Sequence, residues 1–355
     1  TLSVDAFPEL LDHCLYREPA DWPEVADRAT AVPMTMSLEL MREAAEALLP
    51  GKVTVGFEKV LASSWLLAAP PVEVTITAKQ VDSERVRVTL GQYVQGTVLL
   101  ADEYPSPPVL PRTVKNHQTI VVTGQAIYRD RWMFHGPAYQ GLASVDASDS
   151  TGARGTLVNL PAKGALLDAA GQLAGLWVML KAETDRLSMP VRVERIEFYS
   201  PPPPVNASVE CEAVIRSFGQ REVRSDIKLW YDSTPYCSIS LWENWRFDTD
   251  GGLFDMMRFP ERNLLAEVHP EGFVTLATRD QSLAALMSLA GRFIPATSLD
   301  EFRTQPNRRK QSEWLFGRIA AKDAVRSYLF DQGYGAIYPL DIGIEHDATG
   351  KPLVK

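Results

Sequence analysis

The sequence predicts an α+β chain made of two similar halves, each a long helix wrapped by an antiparallel sheet, with a smaller α+β partial domain at the C-terminal end. Three observations carry this. Two apolar stretches of helical spacing lie roughly 130 residues apart. Each is followed by four stretches that alternate as strands do. The texture then changes at a glycine-led boundary near residue 251. The division that follows is 1–112 for the first half, 113–250 for the second and 251–355 for the C-terminal segment.

The first helix is MTMSLELMREAAEALL, residues 34 to 49, opened by Pro33 and closed by Pro50-Gly51. The strands VTVGFEKVLA, VEVTITAKQV, RVRVTLGQYV and GTVLLADEYP follow it. The proline-rich EYPSPPVLPRT, residues 103 to 113, reads as a linker. The second helix is ALLDAAGQLAGLWVMLK, residues 165 to 181, followed by RVERIEFYSP, ASVECEAVIRSF, REVRSDIKLWY and YCSISLWENWRF. A helix with so few charges must be covered on most of its sides, which a wrapping sheet achieves. That unit is a hot-dog fold, and the repeat predicts two in tandem. After GGLFDMMRFPERN the pattern predicts two short strands, helices around 281–293 and 308–330, and a strand with a glycine turn in DIGIEHDATGKPLVK.

Composition narrows the function classes. A net charge of -9 opposes nucleic-acid binding, which needs a basic face. No apolar run approaches the roughly 18 residues of a membrane span, and the N-terminal residues lack the pattern of a signal peptide. Cys14, Cys211 and Cys237 are too far apart for zinc spacing and are expected to be reduced thiols of a cytoplasmic protein. No metal-binding or dinucleotide motif is present, so no metal site is expected. The chain begins without methionine and stops without a compact ending, and is expected to be part of something larger.

Asp168 is the most informative residue. It lies past the cap position of an apolar helix, where a carboxylate is costly unless paired or protonated, and Gln172 shares its face at i+4. A functional carboxyl–amide pair and a satisfied polar core pair are both open on this pattern. His13, in ELLDHCLYR, precedes the first helix as Asp168 rides on the second, so tandem hot-dogs can bring imidazole and acid together. Imidazole suits a general base. An acid in an apolar channel is expected to have a raised pKa and to act as general acid. The stretch MFHGPAYQGL holds His135, Gly136, Pro137, Tyr139 and Gln140. Gly136 and Pro137 set a tight turn, His135 is expected to line the substrate site, and Tyr139 and Gln140 to wall it or to hold Asp168.

PAKGALLDAAGQ resembles the segment of polyketide synthase dehydratase domains that supplies their catalytic aspartate, with a glutamine or histidine four residues on. MFHGPAYQGL resembles their glycine-proline motif, which usually has tyrosine at the place of His135. LLDH followed by VPMTMSLELM resembles their catalytic-histidine motif and the helix after it, and MPVRVERIEFYSP a later segment. The resemblance covers about residues 8 to 247. One departure stands out: the family has a glycine four residues after its histidine and a proline five after that, whereas here Arg17 and a distant Pro33 occur. LYREPADWPEVADRATAV reads as an insertion, of the kind expected in enediyne-type iterative synthases of antibiotic pathways.

The resemblance implies dehydration of a β-hydroxyacyl thioester on an acyl carrier protein to the α,β-enoyl thioester, with His13 as base, Asp168 as acid and Gln172 orienting it. No cofactor is implied beyond the carrier's phosphopantetheine arm. Partners would be the carrier protein and other domains of the same megasynthase, with no nucleic acid, no membrane and a homodimer compatible. An aldol cyclase or a non-catalytic acyl-binding docking module are the rival readings. RRKQSEWLFGRIAAKDAVRSYL and IGIEHDATGKPLV resemble the N-terminal part of surfactin-synthetase-type phosphopantetheinyl transferases. By that likeness Arg318 and Lys351 contact coenzyme A, with magnesium entering only in a complete transferase. A solvated basic helix end is the competing reading of Arg318.

Overall fold

The computed structural model describes residues 1–19, 21–114, 122–184, 186–246, 251–277, 283–349 and 351–355. They divide into two compact units. The first holds Thr1–Cys14 and Thr30–Phe247, the second Leu15–Ala29 and Asp248–Lys355.

In the first unit, helix α1 (Met34–Leu48) is followed by β1 (Val53–Ala62), β2 (Ile76–Gln80), β3 (Arg85–Leu90) and β4 (Val94–Ala101). After β5 (Val122–Thr123) and α2 (Gly124–Arg129) come β6 (Leu142–Asp149), β7 (Gly152–Val158) and α3 (Ala165–Lys181). The last strands are β8 (Ser188–Phe198), β9 (Ser208–Phe218), β10 (Glu222–Tyr231) and β11 (Thr234–Arg246). One eleven-stranded sheet runs β2-β3-β4-β1-β8-β11-β10-β9-β7-β6-β5. The halves join where β1 pairs antiparallel with β8. Helix α1 packs on β1 to β4, α3 on β6 to β9, and the two helices touch. This is the tandem hot-dog that the paired helix-and-strand pattern predicts.

The residues explain the layering. In β4, Val94, Gly96, Val98 and Leu100 alternate inward, so one face of the strand meets α1. Helix α1 keeps Arg42, Glu39 and Glu46 together in a partly exposed ion-pair group while Met36, Leu38 and Met41 are fully buried. Helix α3 buries Leu173, Leu176, Trp177 and Val178 on all sides. Each such side chain contributes roughly 1.5–3 kcal/mol on leaving water.

The sequence pattern missed β5, β6 and β7. Register shifts in the β6–β7 pairing break the two-residue period, and β6 carries Asp146 inside the strand. The Asp146 carboxylate accepts from Ser144 Oγ at 2.7 Å and from Thr156 Oγ1 at 3.2 Å on β7. A polar residue satisfied across strands does not look like a strand residue to a hydropathy pattern.

The second unit contains α4 (Gly251–Arg258), the short pair β12 (Glu267–Val268) and β13 (Val274–Thr275), α5 (Leu283–Phe293), α6 (Leu299–Arg303) and α7 (Arg308–Asp331). The hairpin β14 (Ile344–His346) and β15 (Pro352–Val354) closes it. Its core gathers Met256, Leu286, Leu289, Phe293, Phe302, Leu315 and Ile319. Asn307 opens α7, its side chain accepting from the Lys310 amide at 3.0 Å. The expected boundary at 250 lies in 247–250, outside the described residues, and the glycine-led stretch after it is helical.

What the sequence treats as an insertion in the first half belongs mostly to this second unit. The Arg292 guanidinium lies 4.5 Å over the Tyr16 ring, the Leu15 carbonyl accepts from Arg292 Nη2 at 3.4 Å, and the Ala296 amide donates to Asp27 Oδ1 at 2.5 Å. No helix among the described residues is long and apolar enough to cross a membrane.

Candidate active site

Helix α3 starts against the first turn of α1. Its N-cap Gly164 has φ 76°, and a Cβ there would lie 2.5 Å from the Met36 amide nitrogen. Only glycine fits both the left-handed backbone and the close approach. Because Gly164 holds the cap position and makes no side-chain cap bond, Asp168 is not a helix cap. It sits one turn in, on a helix end whose dipole favours a carboxylate.

Gln172 orients Asp168 and is itself fully used. Its Nε2 donates to Asp168 Oδ2 at 2.8 Å and to the Tyr139 carbonyl at 2.7 Å. Its Oε1 accepts from Tyr128 Oη at 2.6 Å, and Tyr128 Oη in turn accepts from the Leu142 amide at 2.9 Å. The chain Leu142–Tyr128–Gln172–Asp168 fixes the carboxylate rotamer through the backbone of β6.

His13 arrives from the other half. Its Nδ1 lies 2.8 Å from the Ala31 carbonyl. A carbonyl only accepts, so Nδ1 carries the proton and the lone pair of the neutral ring is on Nε2. That Nε2 stands 3.8 Å from Asp168 Oδ1. Ala31 is in place because the chain returns to the first unit at Thr30: Cys14 bridges Thr30, and the Ala31 amide donates to the His13 carbonyl at 3.1 Å. Arg17 stands where the resemblance would place a glycine, and this re-entry shapes the backbone after His13.

The glycine-proline turn is docked on the residue before His13. Gly136 N–H donates to the Asp12 carbonyl at 2.7 Å, and Ala138 N–H donates to Asp12 Oδ2 at 2.8 Å. A Cβ at Gly136 would fall 2.3 Å from Asp12 Oδ1, so the contact requires glycine. Pro137 opens the short 3-10 turn Pro137–Tyr139 that follows. This docking sets Phe134, His135 and Tyr139 around His13, with ring centroids 5.0, 5.1 and 5.2 Å away.

His135 does more than line the site. Its Nε2 is 3.2 Å from Asp168 Oδ2, so the carboxylate lies between two imidazoles, and its Nδ1 is buried with no hydrogen-bond partner among the described residues. Tyr139 and Gln140 bond elsewhere than to Asp168. Tyr139 Oη donates to the Lys163 carbonyl at 3.3 Å, and Gln140 Nε2 donates to the His135 carbonyl at 3.0 Å. Both support the turn.

Burial dominates the electrostatics of His13. It lowers the pKa to about 4 against the pull of Asp168, with His135 pushing the same way as burial, so His13 is neutral and its Nε2 lone pair is available. For Asp168 the sequence predicts a raised pKa, and the surroundings reverse this. Burial does push it up, but the charge and hydrogen bond of His135, the charge of His13 and the Gln172 amide bring it below the ordinary aspartate value. The two directions compete, because a neutral His13 lends Asp168 no positive charge. What holds the carboxylate is therefore His135 and Gln172. Burial raises the Tyr128 and Tyr139 hydroxyls, which stay protonated as donors.

His13, His135, Asp168 and Gln172 thus come together from residues 13, 135, 168 and 172. Arg318 and Lys351 belong to the second unit. Arg318 stacks on Trp314 at 3.5 Å and lies 3.6 Å from Glu301, while the Lys351 amide donates to Asp347 Oδ1 at 2.9 Å and its side chain is exposed. Asp12, Ala31 and Tyr128 were not singled out by the sequence. Only Asp12 carried a signal, by standing next to the histidine.

Residues 107–235 match the family model described as the polyketide synthase dehydratase N-terminal domain. The match spans the turn, Asp168 and Gln172, covers less than half of the chain, and leaves His13 outside. Among solved structures, the dehydratase domain of a mycocerosic acid synthase-like polyketide synthase aligns with TM-score 0.53 and 17% identity, covering 70% of this chain and 89% of that one. The dehydratase domain from the CurF module of the curacin polyketide synthase aligns with TM-score 0.51 and 17% identity, covering 68% and 90%. At these identities the likeness is one of fold, the double hot-dog of dehydratase domains. No curated protein matches the chain.

Proposed function

We propose that the chain removes water from a β-hydroxyacyl thioester carried on the phosphopantetheine arm of an acyl carrier protein, as part of a polyketide megasynthase in the cytoplasm. One observation carries the reading: a buried imidazole with its lone pair on Nε2 faces a partly buried carboxylate 3.8 Å away, each supplied by a different half of the fold. Elimination needs a base for the α-proton and an acid for the departing hydroxyl, within reach of adjacent carbons.

His13 Nε2 takes the α-proton. Asp168, in its acid form, gives a proton to the β-hydroxyl, which leaves as water, and the electron pair of the α C–H bond becomes the new C=C bond. The thioester makes the α-carbon acidic enough that no cofactor enters. His13 is then protonated and Asp168 ionised, and transfer of the proton from Nε2 to Oδ1 resets the pair. His135 and Gln172, both placed on Asp168 Oδ2, keep the carboxyl aimed. The lowered Asp168 pKa makes the acid form the less populated one at rest, and the proton returned from His13 Nε2 restores it.

Support also comes from the family match over residues 107–235 and from the dehydratase domains sharing the fold. The transferase likeness of the C-terminal segment, with coenzyme A contacts at Arg318 and Lys351, rests on the sequence alone. Mass spectrometry of a carrier-bound β-hydroxyacyl chain tests the function. Loss of one water with a conjugated double bond is expected. A cyclised product from a poly-β-ketone chain, with hydroxyacyl chains untouched, would favour aldol closure, and no product from either would leave an acyl-binding module.

A further inference from the structure

We propose that His13, His135 and Asp168 form a site for one divalent transition-metal ion of the zinc class, and that an ion bound there silences the proposed base. The three side chains each offer one ligand atom, and these atoms all lie within 4.8 Å of one another. Two separations are close to what a tetrahedral ion needs. His135 Nε2 to Asp168 Oδ2 is 3.2 Å and His13 Nε2 to Asp168 Oδ1 is 3.8 Å. Ligand bonds of about 2.0–2.2 Å put neighbouring ligand atoms roughly 3.3 Å apart. Those two separations run to different carboxylate oxygens, and with one ligand atom from each residue the widest gap, up to 4.8 Å, must close by roughly 1.5 Å, a rotation of side chains that are already held in place.

The surroundings suit an ion as well as the ligands do. His13 Nδ1 donates to the Ala31 carbonyl at 2.8 Å, which presents Nε2 as a lone pair. Gln172 fixes the Asp168 carboxylate at 2.8 Å. Metal-binding imidazoles and carboxylates are supported in this way. Two imidazoles and one carboxylate favour zinc, cobalt or nickel over magnesium or calcium, which prefer oxygen sets. Three protein ligands leave a fourth position for water. When Nε2 of His135 binds the ion, its ring proton moves to Nδ1, which has no hydrogen-bond partner among the described residues. That ligand lacks the support the other two have, so the ion is expected to exchange with a chelator. The family pattern places tyrosine where this chain has His135, so the third ligand is a feature of this sequence.

Binding of the ion stands apart from the dehydratase reading, while its inhibitory effect rests on that reading. The test is elemental analysis of the full chain, stripped with a chelator, dialysed against zinc and freed of unbound ion, with cobalt(II) absorption as a second probe. One equivalent per chain and an intense tetrahedral cobalt band are expected. His135→Phe and Asp168→Asn should each weaken binding by more than the roughly 10–100-fold that loss of a supporting group costs. His135→Gln, closer in polarity, guards against a folding failure of the phenylalanine variant, and His269→Ala in the second unit should leave binding unchanged. Where water loss is measurable, zinc should inhibit it and a chelator restore it. Absence of stoichiometric zinc, or binding equal in wild type and the well-folded His135→Gln and Asp168→Asn variants, would overturn the proposal whether or not the chain dehydrates anything.

Discussion

Two aspartates, one in each unit, sit on helices and have opposite fates: Asp323 is fully buried and Asp168 keeps a small exposed fraction. Asp323 on α7 accepts from the Leu265 and Ala266 amides at 2.8 and 3.0 Å through Oδ2, and from Arg326 Nη1 at 2.9 Å through Oδ1. Arg326 in turn donates from Nε to the Ile337 carbonyl and from Nη2 to the Pro260 carbonyl. Every strong bond there ends on backbone or on the partner, so the pair ties α7 to its surroundings. Asp168 on α3 is bonded through Oδ2 only, and its Oδ1 meets a histidine nitrogen at 3.8 Å, beyond hydrogen-bond length. A buried carboxylate with both oxygens bonded holds structure. One with an oxygen left facing a lone pair has room for a substrate proton.

The contrast breaks first at the active pair. His13→Ala and Asp168→Asn should each lower water loss by roughly 10²–10⁴-fold, the usual worth of positioned acid–base groups. Near-ultraviolet dichroism should be unchanged, since α3 and its tryptophan packing do not depend on the carboxyl. Asp323→Ala should do the reverse. It leaves Arg326 buried without its partner, and removal of one member of a buried pair costs about 3–5 kcal/mol. Calorimetry should show that loss as unfolding of the second unit.

A smaller effect sharpens the role of the turn. Gly136→Ala puts a Cβ 2.3 Å from Asp12 Oδ1, so the turn must move off the His13 segment. We expect a reduced rate with little change in melting temperature, and a greater loss in turnover than in substrate affinity. A last test concerns pH linkage in the second unit. Burial, with Asp27 and Asp341 adding to it against Lys322 and Arg28, raises the Glu18 carboxyl to about 8. The folded unit therefore keeps a proton that the unfolded chain releases near 4.5. Its contribution to stability is full below that lower value and is lost as pH rises through the upper one. Glu18→Gln should melt close to wild type at pH 4 and above it at pH 9, a difference that scanning fluorimetry of both proteins reads directly.

The legible parts of the sequence were those where one residue type decides locally. ALLDAAGQLAGLWVMLK announces a buried helix, and a carboxylate with an amide at i+4 in it announces a site. The strands β8 to β11 were found within a few residues of their observed bounds, and β10 among them alternates inward and outward along most of its length. What escaped was nonlocal. His135 meets Asp168 only because the Gly136–Pro137 turn docks on Asp12, more than a hundred residues earlier. Tyr128 reaches Gln172 from a short helix with no pattern of its own. The stretch after His13 looks like an insertion because its partners, Arg292 and Ala296, lie near the other end of the chain. β6 stayed hidden because its Asp146 is satisfied by Ser144 along the strand and Thr156 across it.

The pairing of His13 with Asp168 is tested most directly by the rate of water loss from one β-hydroxyacyl pantetheine thioester in wild type, His13→Ala, Asp168→Asn and the double variant. Groups that act as one unit fail together, so each single change should bring the rate near background and the double should fall no further. Single variants that keep most of the wild-type rate, or losses that simply multiply in the double variant, would contradict the account.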